Sequence, residues 1–178
     1  IRPDIAGADA QGIYGLSTLQ SGMELRRAVD EDNPKRAVII GGGYIGLEMA
    51  EALVLRGLEV FLVERSAQVM NTLDPDMGEL VSDALRRVGV ELLLEESLQG
   101  FEVSDGRVRQ VVTDRRSLPA DLVVLGLGVR PNSALAAGAG IPLGERNAIR
   151  VNDRMQTEIE GIWAAGDCAQ SFHLVSRK

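Results

Sequence analysis

Residues 35–51 read KRAVIIGGGYIGLEMAE: a β-branched run, then glycines, then helix formers. Arg36–Ile40 is continuously apolar after its first residue, which is the pattern of a strand buried on both faces of a parallel sheet. It opens directly onto Gly41-Gly42-Gly43-Tyr44-Ile45-Gly46, and Leu47–Arg56 then reads as a helix closed by Gly57. The spacing Gly41-x-Gly43-x-x-Gly46, between strand and helix, is that of a dinucleotide-binding turn. The first glycine permits the tight turn, the second lets backbone approach a pyrophosphate, and the third lets helix and strand pack closely. The pyrophosphate would meet free N–H groups and the positive end of the helix dipole, which implicates Gly42, Tyr44 and Ile45 along with the three glycines. Glu64 follows Gly41 by 23 positions. At the end of a second strand it would accept hydrogen bonds from a ribose diol and repel a 2′-phosphate, which favours NAD over NADP. Arg65 beside it weakens that exclusion, since an arginine pairs with phosphate.

Beyond this stretch, Glu59–Val63 is the second strand and Asp74-Pro75 a helix start. Met77, Leu80, Val81, Ala84, Leu85 and Val88 form one apolar helical stripe ended by Gly89. Val90–Leu94 reads as a third strand. Phe101–Val103, an Asp105-Gly106 turn and Val108–Thr113 predict an antiparallel hairpin with one further pairing nearby. Ala120–Leu125 returns to a buried strand that runs into Gly126-Leu127-Gly128, where backbone could pass close to a nicotinamide ribose. Upstream, Thr18–Asp32 predicts an amphipathic helix stopped by Asn33-Pro34, and residues 1–15 read as an extended connection with no core of its own. Downstream, Asn132–Ala139 predicts a short helix, with short strands near Ala148–Val151 and Ile162–Ala165. Alternating strands and helices give an α/β fold: a Rossmann-like three-layer domain with a central parallel sheet, right-handed crossovers and an antiparallel β-meander.

The composition excludes several alternatives. The chain has 178 residues and a formal charge of −7, with 45% hydrophobic and 3% aromatic residues. Its sequence pI near 4.8 offers no basic field for a phosphodiester backbone. Nucleic acid is therefore not an expected partner. No apolar run approaches the roughly 18 residues of a membrane helix, nor does the N-terminus have a signal-peptide pattern, so a cytoplasmic protein, cut from something longer, is expected. One cysteine, Cys168, makes no internal disulfide or cysteine-based metal cage, and no metal site is expected.

The motif at 35–51, together with Leu62–Arg65, Gly128-Val129-Arg130-Pro131-Asn132 and Gly161-Ile162-Trp163-Ala164-Ala165-Gly166-Asp167, resembles the FAD-dependent pyridine nucleotide-disulfide oxidoreductases. The resemblance implies an NAD(P)-binding domain at 35–131, inserted in an FAD domain. Residues 1–34 would then be linker and one edge of the FAD domain, and 132–178 the return into it. It also implies that Asp167 binds the FAD ribitol beside Gly166, that Tyr44 covers the nicotinamide pocket, and that Glu48 is the carboxylate paired with a lysine beside the flavin. That lysine is absent from this chain. The stretch CAQSFHLV, 168–175, is similar to the coenzyme A-disulfide reductase and NADH oxidase subgroup. Cys168 does not match the family's redox cysteine and reads as a small packed residue, and His173 reads as structural or exposed.

The resemblance implies an NAD(H)-binding domain of an FAD-dependent enzyme, one that passes hydride from NADH to FAD and on to a small disulfide, peroxide or oxygen. The fragment alone would be inactive and the full-length protein a homodimer. The alternatives are a stand-alone NAD(H)-binding or redox-sensing module, a rubredoxin- or ferredoxin-type NADH reductase, and a flavin-free dehydrogenase.

Overall fold

β2 (Arg36–Ile40) lies at the centre of a parallel sheet because both its faces are apolar. The computed structural model describes residues 2–170 and Val175, and the chain divides into two compact units, Ile1–Gly128 and Val129–Lys178. In the first unit β2 is joined by β1 (Ile13–Gly15), β3 (Glu59–Glu64), β4 (Val90–Leu94) and β8 (Leu122–Leu125). Their order is β1-β8-β2-β3-β4, every neighbouring pair being parallel. β5 (Leu98–Ser104), β6 (Arg107–Thr113) and β7 (Ser117–Pro119) form a separate antiparallel meander. Three helices complete the unit: α1 (Leu19–Glu31), α2 (Tyr44–Leu55) and α3 (Pro75–Arg87).

The period-2 alternation of the strands sorts their side chains between two cores. Ala37, Ile39, Val60, Leu62, Leu122 and Val124 pack against Leu25, Ala50, Leu53 and Leu85 of the helices. Val38, Ile40, Val63, Val123 and Leu125 pack against Phe101, Val108, Val111 and Leu118 of the meander. Helices, sheet and meander thus make the three layers expected of a Rossmann-like α/β fold. Val38, Ile39 and Val123 are wholly buried, and such a side chain contributes about 1.5–3 kcal/mol of transfer free energy.

In the first unit four details differ from the sequence reading. The segment before residue 16 has a core after all: Ile13 pairs with Val123, and both Ala8 and Ile13 are buried under the meander. Three residues of strand are too few for periodicity to declare. α2 begins at Tyr44, three positions earlier than Leu47, because Gly43 takes the N-cap. Only part of the α3 stripe faces inward: Leu85 is buried and Val81 packs against the same core, whereas Met77, Leu80 and Val88 are exposed and Gly78 and Ser82 take inward positions. Small side chains let the helix approach closely, and a Cβ on Gly78 would lie 2.6 Å from the Gln68 amide. On α1, likewise, Leu25 and Ala28 are buried while Leu19 and Met23 are exposed.

The second unit contains α4 (Ala134–Gly138) and a 3₁₀ turn at Glu145–Asn147, around a small core of Ala136, Ile141 and Ile149. The strands expected at 148–151 and 162–165 are single bridges, Ile149 with Leu143 and Ala169, and Trp163 with Gln156. Among the described residues no helix is long and apolar enough to cross a membrane.

Candidate functional site

The glycines after β2 have different geometric roles. Gly41 adopts φ +106°, a left-handed backbone. A Cβ there would lie 2.5 Å from the Gly126 carbonyl oxygen, so the loop after β2 and the loop after β8 touch through glycines. Gly46 lies in the first turn of α2, where a Cβ would sit 1.9 Å from the Gly41 carbonyl; only a hydrogen permits helix and loop to meet. At Gly43, by contrast, a Cβ would meet nothing within 4 Å. The space above the helix N-terminus is open, and no side chain caps it. Gly42 is engaged internally: its N–H donates to Glu64 Oε2 at 2.7 Å, and its carbonyl accepts from the Met70 amide at 2.8 Å.

Glu64 is the hinge of the site. Ending β3, it is 9% exposed, and its Oε1 accepts from the Ser66 N–H at 2.9 Å. Two backbone donors hold the carboxylate at one angle. A carboxylate offers about four lone-pair directions, so acceptor capacity remains for a vicinal diol. Glu64 borders a cleft of about 500 Å³, lined also by Gly41, Arg65, Ser66, Asn71, Glu96, Ser97, Leu98, Gly126 and Leu127. The cleft lies at the carboxyl ends of β2, β3, β4 and β8, where open α/β sheets bind their ligands.

Of the residues singled out from sequence, the fold gathers Gly41, Glu64, Arg65 and Gly126 around this cleft, with Gly42, Gly43, Ile45 and Gly46 on the adjoining loop and helix. Tyr44, at the start of α2, is 70% exposed. Glu48, one turn on, is exposed and borders a shallow groove with Leu47, Glu51 and Val81. Gly128 has φ +80°. In the second unit Gly166 also has φ +80°, followed by the exposed Asp167. Cys168 packs against the small core there, and its thiol lies 3.4 Å from the Ala165 carbonyl. His173, and with it most of the end of CAQSFHLV, lies outside the described residues.

Glu96, Ser97 and Leu98 were missed in the sequence reading. A signal existed, since they directly follow the third strand and strand carboxyl ends are where such sites form. Outside the cleft, burial first and the Asp32 carboxylate second hold the Tyr14 phenol above its ordinary range. Among the described residues no cluster of His, Cys, Asp and Glu could hold a metal ion.

Comparison with known proteins identifies the family. The pyridine nucleotide-disulphide oxidoreductase family model matches residues 1–177. An NADH oxidase of Methanocaldococcus jannaschii is 38% identical over 98% of this chain and 39% of its own length. A CoA-dependent NAD(P)H sulfur oxidoreductase of Pyrococcus abyssi is 37% identical, with the same shares covered, 98% and 39%. The solved NAD-dependent persulfide reductase of A. fulgidus superposes with a TM-score of 0.93 at 37% identity, over 100% of this chain and 33% of that one. The chain therefore spans about two fifths of the length of these curated relatives. A dinucleotide-type turn, an acidic residue ending the next strand and a match across nearly every residue place this chain in the pyridine nucleotide-disulphide oxidoreductase family.

Proposed function

We propose that this chain is the NAD(H)-binding part of an FAD-dependent oxidoreductase whose acceptor is a small disulfide, peroxide or oxygen. One observation carries the reading: the helix N-terminus at Gly43 is uncapped and open, within the same loop whose Gly42 N–H is fastened to the Glu64 carboxylate. The residues suit a dinucleotide. The N–H groups of α2's first turn and its dipole would hold the pyrophosphate, and Glu64 would hold the adenosine ribose. When bound, nicotinamide and flavin supply the hydride chemistry. The polypeptide's part is to fix where the donor ring lies, through a pyrophosphate anchor, a ribose anchor and the Gly126–Gly128 backbone.

Tyr44 would shield the nicotinamide side, Glu48 would pair with a lysine from outside this chain, and Asp167 with Gly166 would bind the flavin's polyol. Residues 132–178 are read as a return into the flavin domain, supported by the break between compact units after Gly128. Residues 1–34 are read as linker and an edge of that domain, although here they pack within the first unit. The intact protein is read as a homodimer.

The test is anaerobic reduction. NADH is expected to bleach the flavin of the intact protein, and Glu64→Ala to lower the NADH-over-NADPH preference by about tenfold, the loss of one hydrogen-bonded charge contact. No bleaching by either nucleotide would overturn the reading.

A further inference from the structure

Two charged side chains are buried among the described residues, Glu64 at 9% and Glu96 at 1% exposure, and both line the same cleft. The proposed ribose anchor accounts for Glu64. Glu96 is not explained by its own contacts. The Thr113 hydroxyl donates to Oε1 at 2.6 Å, and Arg116 Nε approaches the same oxygen at 3.2 Å. Neither bond is directed to Oε2. No fully buried side-chain oxygen or nitrogen among the described residues lacks a partner, so Oε2 is not wholly covered and carries the slight exposure of Glu96, a residue of the cleft wall. Stapling the β6–β7 turn to the end of β4 does not require a charge, since burying a carboxylate costs several kcal/mol and an apolar contact would serve as well.

The sheet order says what would lie there. Glu96 donates its backbone N–H to the Glu64 carbonyl at 3.1 Å, and β4 is the neighbour of β3 on the side away from β2. With pyrophosphate over α2 and ribose on Glu64, the base of the adenosine half lies past Glu64, over the residues that follow β4. There Leu98 offers apolar surface to a ring and Glu96 offers an acceptor.

Resting on the dinucleotide reading above, we propose that Glu96 reads the adenine base, its Oε2 accepting a hydrogen bond from the exocyclic 6-amino group, with Thr113 and Arg116 holding the carboxylate in place through Oε1. The cleft then distinguishes adenine from a 6-oxopurine, whose oxygen would face a carboxylate at the same position. Glu96 is a specificity residue and takes no part in the chemistry.

The experiment is a calorimetric titration of the intact protein with NADH and with deamino-NADH, in which oxygen replaces the 6-amino group. The unaltered protein is expected to bind NADH at least about tenfold more tightly, the scale of one hydrogen bond to a charged group. In Glu96→Gln the ratio is expected to fall to within about twofold, because the amide accepts from an amine and donates to a carbonyl alike. Equal affinities in the unaltered protein would overturn the proposal without the need for any variant. So would a ratio unchanged in a folded Glu96→Gln, since a purely structural role would weaken both ligands together. Binding of neither nucleotide would remove the dinucleotide reading itself, and this inference with it.

Discussion

Gly43 and Gly46 stand in opposite surroundings, one open and one crowded. An alanine methyl at Gly46 would enter a carbonyl oxygen 1.9 Å away, so α2 must lift from the loop. Gly46→Ala is expected to cost about 3 kcal/mol or more of stability, read as a lowered unfolding midpoint. A Cβ at Gly43 meets no atom within 4 Å, so Gly43→Val is expected to change stability by less than about 1 kcal/mol, while weakening NADH at least about tenfold by filling the space above the helix. Equal effects of the two substitutions on stability would contradict the division of roles. Glu64 is structural as well as the proposed ribose anchor. Glu64→Ala strips the acceptor from the Gly42 and Ser66 N–H groups, and denaturant titration is expected to show a loss of about 1–3 kcal/mol.

Among the elements, legibility followed from how many faces are buried. Arg36–Ile40 and Leu122–Leu125 were readable because both faces are covered, which leaves an apolar run with no ambiguity of register. α3 was readable as a helix but not in its rotation. Hydrophobicity points to Met77, Leu80 and Val88 as much as to Leu85, whereas burial selects Leu85 together with Gly78 and Ser82. Leu80→Ser is accordingly expected to change stability by less than about 0.5 kcal/mol, and Leu85→Ala to cost about 2–5 kcal/mol. Thermal unfolding of the two variants checks this, and a costly Leu80→Ser would return the stripe to the core. The site divided similarly. Glycine spacing and the Glu64 offset are local signals, while the use of Glu96 depends on β4 lying beside β3, a long-range pairing that no short motif carries.

In the molecule as a whole, the first unit holds the proposed dinucleotide cleft, and the sequence's one cysteine lies in the second. Cys168 is packed against Ala136, Ile141 and Ile149, and among the described residues its thiol bonds to the Ala165 carbonyl and to no base that would activate it. The 178-residue chain by itself is therefore expected to bind NADH and to show no NADH-dependent disulfide reduction; measurable turnover of a disulfide would require another role for Cys168. A dinucleotide lying across the carboxyl ends of β2, β3 and β4 would engage the whole first unit, and amide hydrogen exchange with and without NADH reads all of it at once. Slowed exchange is expected at 43–46, 65–66, 96–98 and 126–127, and none in the polar hollow formed by Asp32, Lys35, Arg107 and Asp121. Protection confined to that hollow, or absent from 43–46 at saturating NADH, would contradict the dinucleotide site.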